Sequence, residues 1–353
     1  MTVAILPSSI RQQIVKQFQK NYLTFSVPPV IGAPLKLAED LIYGGQLEQI
    51  TITQPIFIVG CHRSGTTVLY DALCQHPDLA YLTNASVMVP ETPIINNAIG
   101  KLLGLDQVSQ ERFLQDGIPV NATSPNEGIR IWELHATDGG DYCLDETYSN
   151  PEMEVYLKQT IRKHLKYFNA SRFINKNPDN SVRMRYLNKL FSDAFFINII
   201  RDGRAVCSSL LKVREISEQF FGADNRHAKS GVKVKAWAEI EAAWVEDPIR
   251  SIGLLWLEVV ETIERDRQHI SPDRYIELRY EDFVAEPLAY FRKLIEFCQL
   301  PWNGSIEKIF QAEADKIDLG GRNDAWKKRL NDQDVEQLLA IIGPKMREYG
   351  YSV

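Results

Sequence analysis

The sequence predicts an α/β fold built on a P-loop-type parallel β-sheet, flanked by helices on both faces. Three observations predict it. The first is the run Ile56-Phe57-Ile58-Val59, too short for a helix and apolar throughout, as a strand buried on both faces must be. The second is that further strand-like runs, at Phe173–Asn175, Phe195–Ile200 and Arg274–Leu278, alternate with segments of helical periodicity. The third is a glycine-bearing turn directly after two of these strands, at the carboxyl ends where ligands of such sheets sit.

The elements follow in order. Residues 8–22 read as an amphipathic helix, with Ser8 and Ser9 as caps and Ile10, Ile14, Val15 and Phe18 on one face. The proline-containing stretch 27–34 reads as a linker. Residues 1–50 are therefore expected to form an N-terminal helical extension, and residues 51–353 the α/β domain. Helical patterns are expected near 66–75, 152–168, 179–191, 203–219, 235–269, 286–298 and 332–348.

Composition removes several function classes. The 46 acidic and 40 basic residues give a net charge of −6, which argues against a general nucleic-acid binder. Cys61, Cys74, Cys143, Cys207 and Cys298 are scattered and contain no CxxC pair, the usage of a reducing compartment without a zinc or disulfide framework. No run approaches the roughly 20 apolar residues of a membrane span, and no signal-peptide pattern opens the sequence. A cytoplasmic protein is expected.

β-strand 56–59 runs into Gly60-Cys61-His62-Arg63-Ser64-Gly65-Thr66-Thr67, and then into a helical pattern. Strand, glycine-bracketed loop and helix N-terminus make an anion site, because free backbone N–H groups and the helix dipole point at the ligand. The spacing matches a nucleoside-triphosphate loop except at its lysine. Thr66 stands there, and the cation has moved forward to Arg63. The loop therefore suits a shorter anionic group, with Arg63 beside it and the hydroxyls of Ser64, Thr66 and Thr67 around it.

A second anion site follows strand 195–200, at Arg201-Asp202-Gly203-Arg204, where a helix opens with Ser208 and Ser209 one turn in. Arg201 offers a bidentate fork and Ser209 a hydroxyl. Between the two sites, Lys176 ends the strand-like run Phe173-Ile174-Asn175, just before Pro178 starts a new helical pattern. A nucleoside with phosphate groups at both ends would span such a pair of sites.

These residues carry a family resemblance. The segment FIVGCHRSGTTVLYDALCQHPDL is similar to the 5′-phosphosulfate loop of sulfotransferases that use 3′-phosphoadenosine 5′-phosphosulfate (PAPS). INKNPDNSVRMRYLNKLFSDAFFINIIRDGRAVCSSL resembles their lysine segment and 3′-phosphate motif, and YIELRYEDFVAEPLAYFRKLIEFCQLPW and GRNDAWKKRL resemble later segments. The resemblance spans about residues 54–350. It is closest to the bacterial group related to protein-tyrosine sulfotransferases.

The resemblance implies that Arg63, Ser64, Gly65, Thr66 and Thr67 hold the 5′-phosphosulfate, and that Lys176 contacts the transferring sulfuryl group. It implies Arg201 and Ser209 as the 3′-phosphate pair, Tyr280 as a lining of the nucleotide site, and Arg322 as a late basic residue closing over the phosphates. One position departs from the pattern. The glutamate base of the tyrosine-sulfating relatives falls near Asn84, which cannot take a proton, and the histidine motif of the cytosolic branch is absent. Glu127 and His135 are the leading alternative bases, with Glu91 third.

The chemistry implied is an in-line displacement in which Arg63, Lys176 and the loop amides stabilise developing charge, with no metal. The acidic stretch from Glu133 to Glu154, with Trp132, Tyr142 and Tyr148 nearby, suits a small cationic acceptor by ion pairing and cation–π contact, or is a solvated acidic loop. A peptide tyrosine is the rival acceptor. A P-loop nucleotide kinase, or a nucleotide-binding protein without catalysis, is the rival class. Residues 222–235, with Arg226, Lys229 and Lys233, read either as a lid or as a solvated basic loop.

Overall fold

Ile56–Val59 forms β1, and none of its four side chains is more than 1% exposed. Removing each from water contributes about 1.5–3 kcal/mol, which explains why the apolar run is uninterrupted. The structure is a computed structural model and describes residues 7–13, 29–111, 117–135, 143–221, 232–317 and 323–353. The remaining strands are β2 (Leu79–Ala80), β3 (Gln110–Glu111), β4 (Pro119–Val120), β5 (Arg172–Lys176), β6 (Phe195–Ile200) and β7 (Tyr275–Arg279). The predicted parallel sheet is present, with five strands in the order β2-β5-β1-β6-β7 and helices flanking it; β3 and β4 make a separate antiparallel pair.

The chain divides into two compact units. The first comprises residues 1–55, 73–138 and 150–175. In it β2 pairs parallel with β5, beside helices Pro29–Leu47, Pro93–Leu102 and Pro151–Phe168. The linker expected over 27–34 is a correction: from Pro29 onward the chain is helical, with Pro34 inside the helix. A non-local contact favours that helix. Glu39, fully buried, accepts from the Ile95 N–H at 2.8 Å and pairs with Lys163 at 3.1 Å, so this helix is pinned to helices Pro93–Leu102 and Pro151–Phe168. Of the amphipathic helix expected over 8–22, residues 8–13 are helical; residues 14–22 lie outside the described residues.

His164, on the buried face of Pro151–Phe168, bonds the Thr160 carbonyl at 2.7 Å through Nδ1. Burial pulls its pKa down from 6.5 to about 4. The unfolded chain then binds the extra proton first, so stability is intact above about pH 6.5 and is lost as pH falls toward 4. Unfolding in denaturant at pH 7 and pH 5 should differ by ~2 kcal/mol from this group, and His164→Gln should remove that difference. An unchanged pH profile in the variant would show that other groups set it.

The second unit comprises residues 56–72, 139–149 and 176–353. β1, β6 and β7 run parallel, with Ile56 opposite Phe195 and Phe196 opposite Tyr275. Phe57, Phe191 and Phe196 pack at centroid distances of 5.8–6.0 Å, and Trp256 is almost wholly buried in the core. The single helix expected over 235–269 is two, Trp237–Glu246 and Pro248–Arg267. Asp247 caps the second by accepting from the Arg250 N–H at 3.0 Å, and Pro248 takes the first turn, where its missing N–H costs nothing. The pattern at 179–191 likewise resolves into a 3₁₀ turn, Pro178–Val182, and a helix, Met184–Leu190.

None of the five cysteines forms a disulfide, and burial pushes the Cys61 and Cys207 thiols up to about 12. Among the described residues no helix is long and apolar enough to cross a membrane.

Candidate active site

The loop after β1 is held by unusual backbone. Gly60 has φ +141° and Gly65 φ +95°, and between them Arg63 sits at φ +67°, a left-handed conformation that side chains seldom adopt. Two neighbours impose it. A Cβ on Gly60 would stand 2.5 Å from the Ile199 carbonyl of β6, and one on Gly65 would stand 2.3 Å from the Tyr280 ring. Ser181 clamps the loop base, accepting from the Gly60 N–H at 2.9 Å and donating to the Gly60 carbonyl at 3.1 Å. Helix Thr66–Leu73 begins immediately after, so its first N–H groups face the loop.

The hydroxyl of Ser64 is buried with no hydrogen-bond partner, although the residue is only 1% exposed. A buried hydroxyl left this way costs about 1–3 kcal/mol, so a polar group supplied by a ligand fits this position. Thr66 is also buried, and Thr67 Oγ1 accepts from Lys176 Nζ at 3.0 Å. Lys176, at the end of β5, is 2% exposed. An ammonium seldom lies this deep without a polar task, and here it points at the phosphate-type loop.

The end of β6 comes to the same loop. Arg201 donates from Nη1 to the Arg63 carbonyl at 3.0 Å, and Arg63 Nε donates to Ser209 Oγ at 2.9 Å. The two sequence motifs are thus one hydrogen-bonded site. Arg201 lies 4.3 Å over the ring of Tyr280, which fills the space beside Gly65. Burial lowers the guanidinium pKa, while Tyr280, Glu281 and Asp202 oppose that effect. Asp202 itself is taken by Arg204, at 2.7 Å.

Three residues that the sequence did not single out complete the arrangement. Arg201 Nε donates to Asn323 Oδ1 at 3.1 Å, and Asn323 Nδ2 donates to Glu281 Oε1 at 3.1 Å. Tyr351 O–H donates to Glu281 Oε2 at 2.8 Å. Arg322, expected to close over the phosphates, lies outside the described residues, but its neighbour Asn323 is at the site. GRNDAWKKRL was the available signal, and Asn323 is one of its residues.

The candidate bases lie in the first unit. Glu127 is half-buried, and its main-chain carbonyl accepts from Asn175 Nδ2 at 3.3 Å, one residue before Lys176 on β5. Asn84, standing where a glutamate base was expected from the resemblance, is a brace: its Nδ2 donates to the Asn121 carbonyl at 2.7 Å and its Oδ1 accepts from Asn126 at 2.8 Å. His135 Nδ1 pairs with Glu152 at 3.0 Å, and its ring packs on Tyr156. These three line a cavity of about 350 Å³ with Glu91, Asp40 and Lys163. Glu91 pairs with Lys36 at 2.8 Å.

Of the acidic stretch, Glu146 is ion-paired to Arg185 and Glu152 to His135, while Asp145 accepts from Thr147. Asp138, Asp141 and Tyr142 lie outside the described residues, as do Arg226 and Lys229 of the expected lid. Lys233 lies between the buried Val232 and Val234. Among the described residues no group of His, Cys, Asp and Glu is placed to hold a metal ion.

Comparison with known proteins decides the family. The model of the sulfotransferase family matches residues 55–304, which is most of the chain and includes both anion-binding strand ends. This chain belongs to the sulfotransferase family. It is an enzyme of the sulfuryl-transfer class. The sulfotransferase is 22% identical, over 91% of its length and 82% of the relative, to an omega-hydroxy-beta-dihydromenaquinone-9 sulfotransferase of Mycobacterium bovis. It is 26% identical to human protein-tyrosine sulfotransferase 1, over 84% of this chain and 69% of that one. The crystal structure of sulfotransferase STF9 from Mycobacterium avium shares the fold, with a TM-score of 0.59 and 17% identity over 90% of this chain and 82% of that one.

Proposed function

We propose that this sulfotransferase moves a sulfuryl group from PAPS to a hydroxyl or amine of a small-molecule acceptor. The observation that carries this reading is the joining of two anion-binding strand ends through Arg63, at 3.0 Å to Arg201 and 2.9 Å to Ser209. A donor with phosphate groups at both ends of its nucleoside needs two such ends on one rigid frame. The site residues fit it: Ser64 has a buried hydroxyl to offer, and Gly65, with no Cβ, lets the Tyr280 ring pack directly against the loop. The donor supplies an activated sulfuryl group on a stable adenosine bisphosphate leaving group.

In this reading the chain's own residues divide as follows. Arg63, Ser64, Gly65, Thr66 and Thr67 bind the 5′ end, while Arg201, Ser209, Tyr280 and Arg322 bind the 3′ end and the nucleoside. Arg63 and Lys176 hold positive charge where the leaving oxygen becomes negative, so no metal is called for. Glu127 or His135 takes the acceptor proton, a role typically contributing about 100- to 10,000-fold. Residues 1–50 are read as an extension to the catalytic domain, and the protein as cytoplasmic.

For the acceptor, the relative named for an omega-hydroxy menaquinone supports a hydroxyl on a small molecule. The carboxylates between Glu133 and Glu154 support a cationic one, such as a basic natural product, although ion pairs inside the fold already engage Glu146 and Glu152. A peptide tyrosine is less favoured, because Asn84 is a bracing amide where that chemistry needs a base. The test is transfer from sulfur-labelled donor to a panel of acceptors at two salt concentrations. Cationic acceptors should show Michaelis constants that rise with salt. A neutral phenol or lipid preferred over all of them, with salt-independent constants, would overturn the cationic assignment.

A further inference from the structure

We infer that Tyr351, Glu281 and Asn323 form a latch that positions Arg201 for the 3′-phosphate of the donor. This rests on the donor reading above and adds three positioning residues to it. Glu281 is the hub. Its Oε1 accepts from the Asp202 main-chain N–H and from Asn323 Nδ2, both at 3.1 Å, and its Oε2 accepts from the Tyr351 hydroxyl at 2.8 Å. Three donors from three separate stretches of chain therefore converge on one carboxylate.

The consequence for Arg201 follows from the chemistry of an amide. A carboxylate only accepts, so Asn323 must present its NH₂ to Glu281, which turns its oxygen toward the Arg201 Nε at 3.1 Å. The guanidinium is then fixed on one edge by Asn323, on another by the Arg63 carbonyl, and on its face by Tyr280. Rotation about the long side chain is removed before any ligand arrives, which lowers the entropic cost of gripping a phosphate. Tyr351 closes the far side of the hub. It is 6% exposed and lies under the Arg279 guanidinium at 4.4 Å, so its hydroxyl has one direction to point.

The experiment compares calorimetric titrations with 3′-phosphoadenosine 5′-phosphate and with adenosine 5′-phosphate, which lacks only the 3′-phosphate. Tyr351→Phe should weaken the bisphosphate by about three- to tenfold and the monophosphate by less than about twofold. In a cycle with Arg201→Ala, adding Tyr351→Phe should cost nothing further. Asn323→Ala, at a half-buried position, should give the same selective loss, and decides the matter if Tyr351→Phe is too unstable to titrate. Equal weakening of both nucleotides, no change in either, or additive losses in the cycle would overturn the latch. If the unaltered protein shows no preference for the bisphosphate, the donor reading itself falls, and the latch with it.

Discussion

Lys176→Ala should lower turnover by about a hundred- to a thousandfold while weakening donor binding less than about tenfold. The ammonium lies at the carboxyl end of β5, 2% exposed, and donates to Thr67 in the first turn of the helix that follows the anion loop. Water cannot screen it there, so its charge acts most where negative charge develops in the transition state. Arg63→Ala should fall in the same class, since its left-handed backbone lies within the anion loop and its guanidinium bridges to Ser209. The structure adds a coupling that motif reading did not contain. Ser209 holds Arg63 Nε at 2.9 Å, so Ser209→Ala should cost some turnover as well as nucleotide affinity. Single-turnover rates at saturating donor separate the two effects; a Lys176→Ala enzyme with an intact rate and weakened binding would reassign the lysine to the ground state.

Gly65→Ala should be strongly damaging for a single added methyl group. The backbone is at φ +95°, and the added Cβ would stand 2.3 and 2.6 Å from two carbons of the Tyr280 ring. That ring cannot swing away cheaply, because Arg201 is stacked on it at 4.3 Å. Strain of about 1–3 kcal/mol is expected from the backbone alone, so the melting temperature should fall by several degrees. Nucleotide affinity should fall by more than about tenfold, since the loop amides and Arg201 move together. Gly304→Ala is the control, having no neighbour within 4 Å. Tyr280→Ala added to Gly65→Ala should relieve the clash but not the backbone strain; a full rescue would show that the ring alone demands glycine.

Much of the fold and of the candidate anion site was legible because its signals are local. A run such as Ile56–Val59 followed by GCHRSGTT states strand, loop and helix start within a dozen residues, and Phe195–Ile200 with RDGR repeats the statement. What stayed hidden was non-local. The helix from Pro29 is favoured by Glu39 meeting Lys163 and Ile95, contacts 56 or more residues away in sequence, and its two prolines read locally as a linker. β2 has only two residues, too few for any periodicity. The break at Asp247-Pro248 was readable, since Asp then Pro is a helix-start signature, but the apolar pattern ran through it. The latch joins residues 202, 281, 323 and 351, and no window of sequence contains them together.

In the proposed function, two joined anion sites hold PAPS, and Arg63 and Lys176 make its sulfuryl group transferable. The most direct measurement is the donor arm of the transfer assay: sulfur-labelled PAPS, the acceptor panel and an excess of metal chelator. Label is expected on an acceptor, with stoichiometric release of 3′-phosphoadenosine 5′-phosphate, both lost together in Lys176→Ala. No transfer from PAPS, or turnover of ATP that requires magnesium, would contradict it.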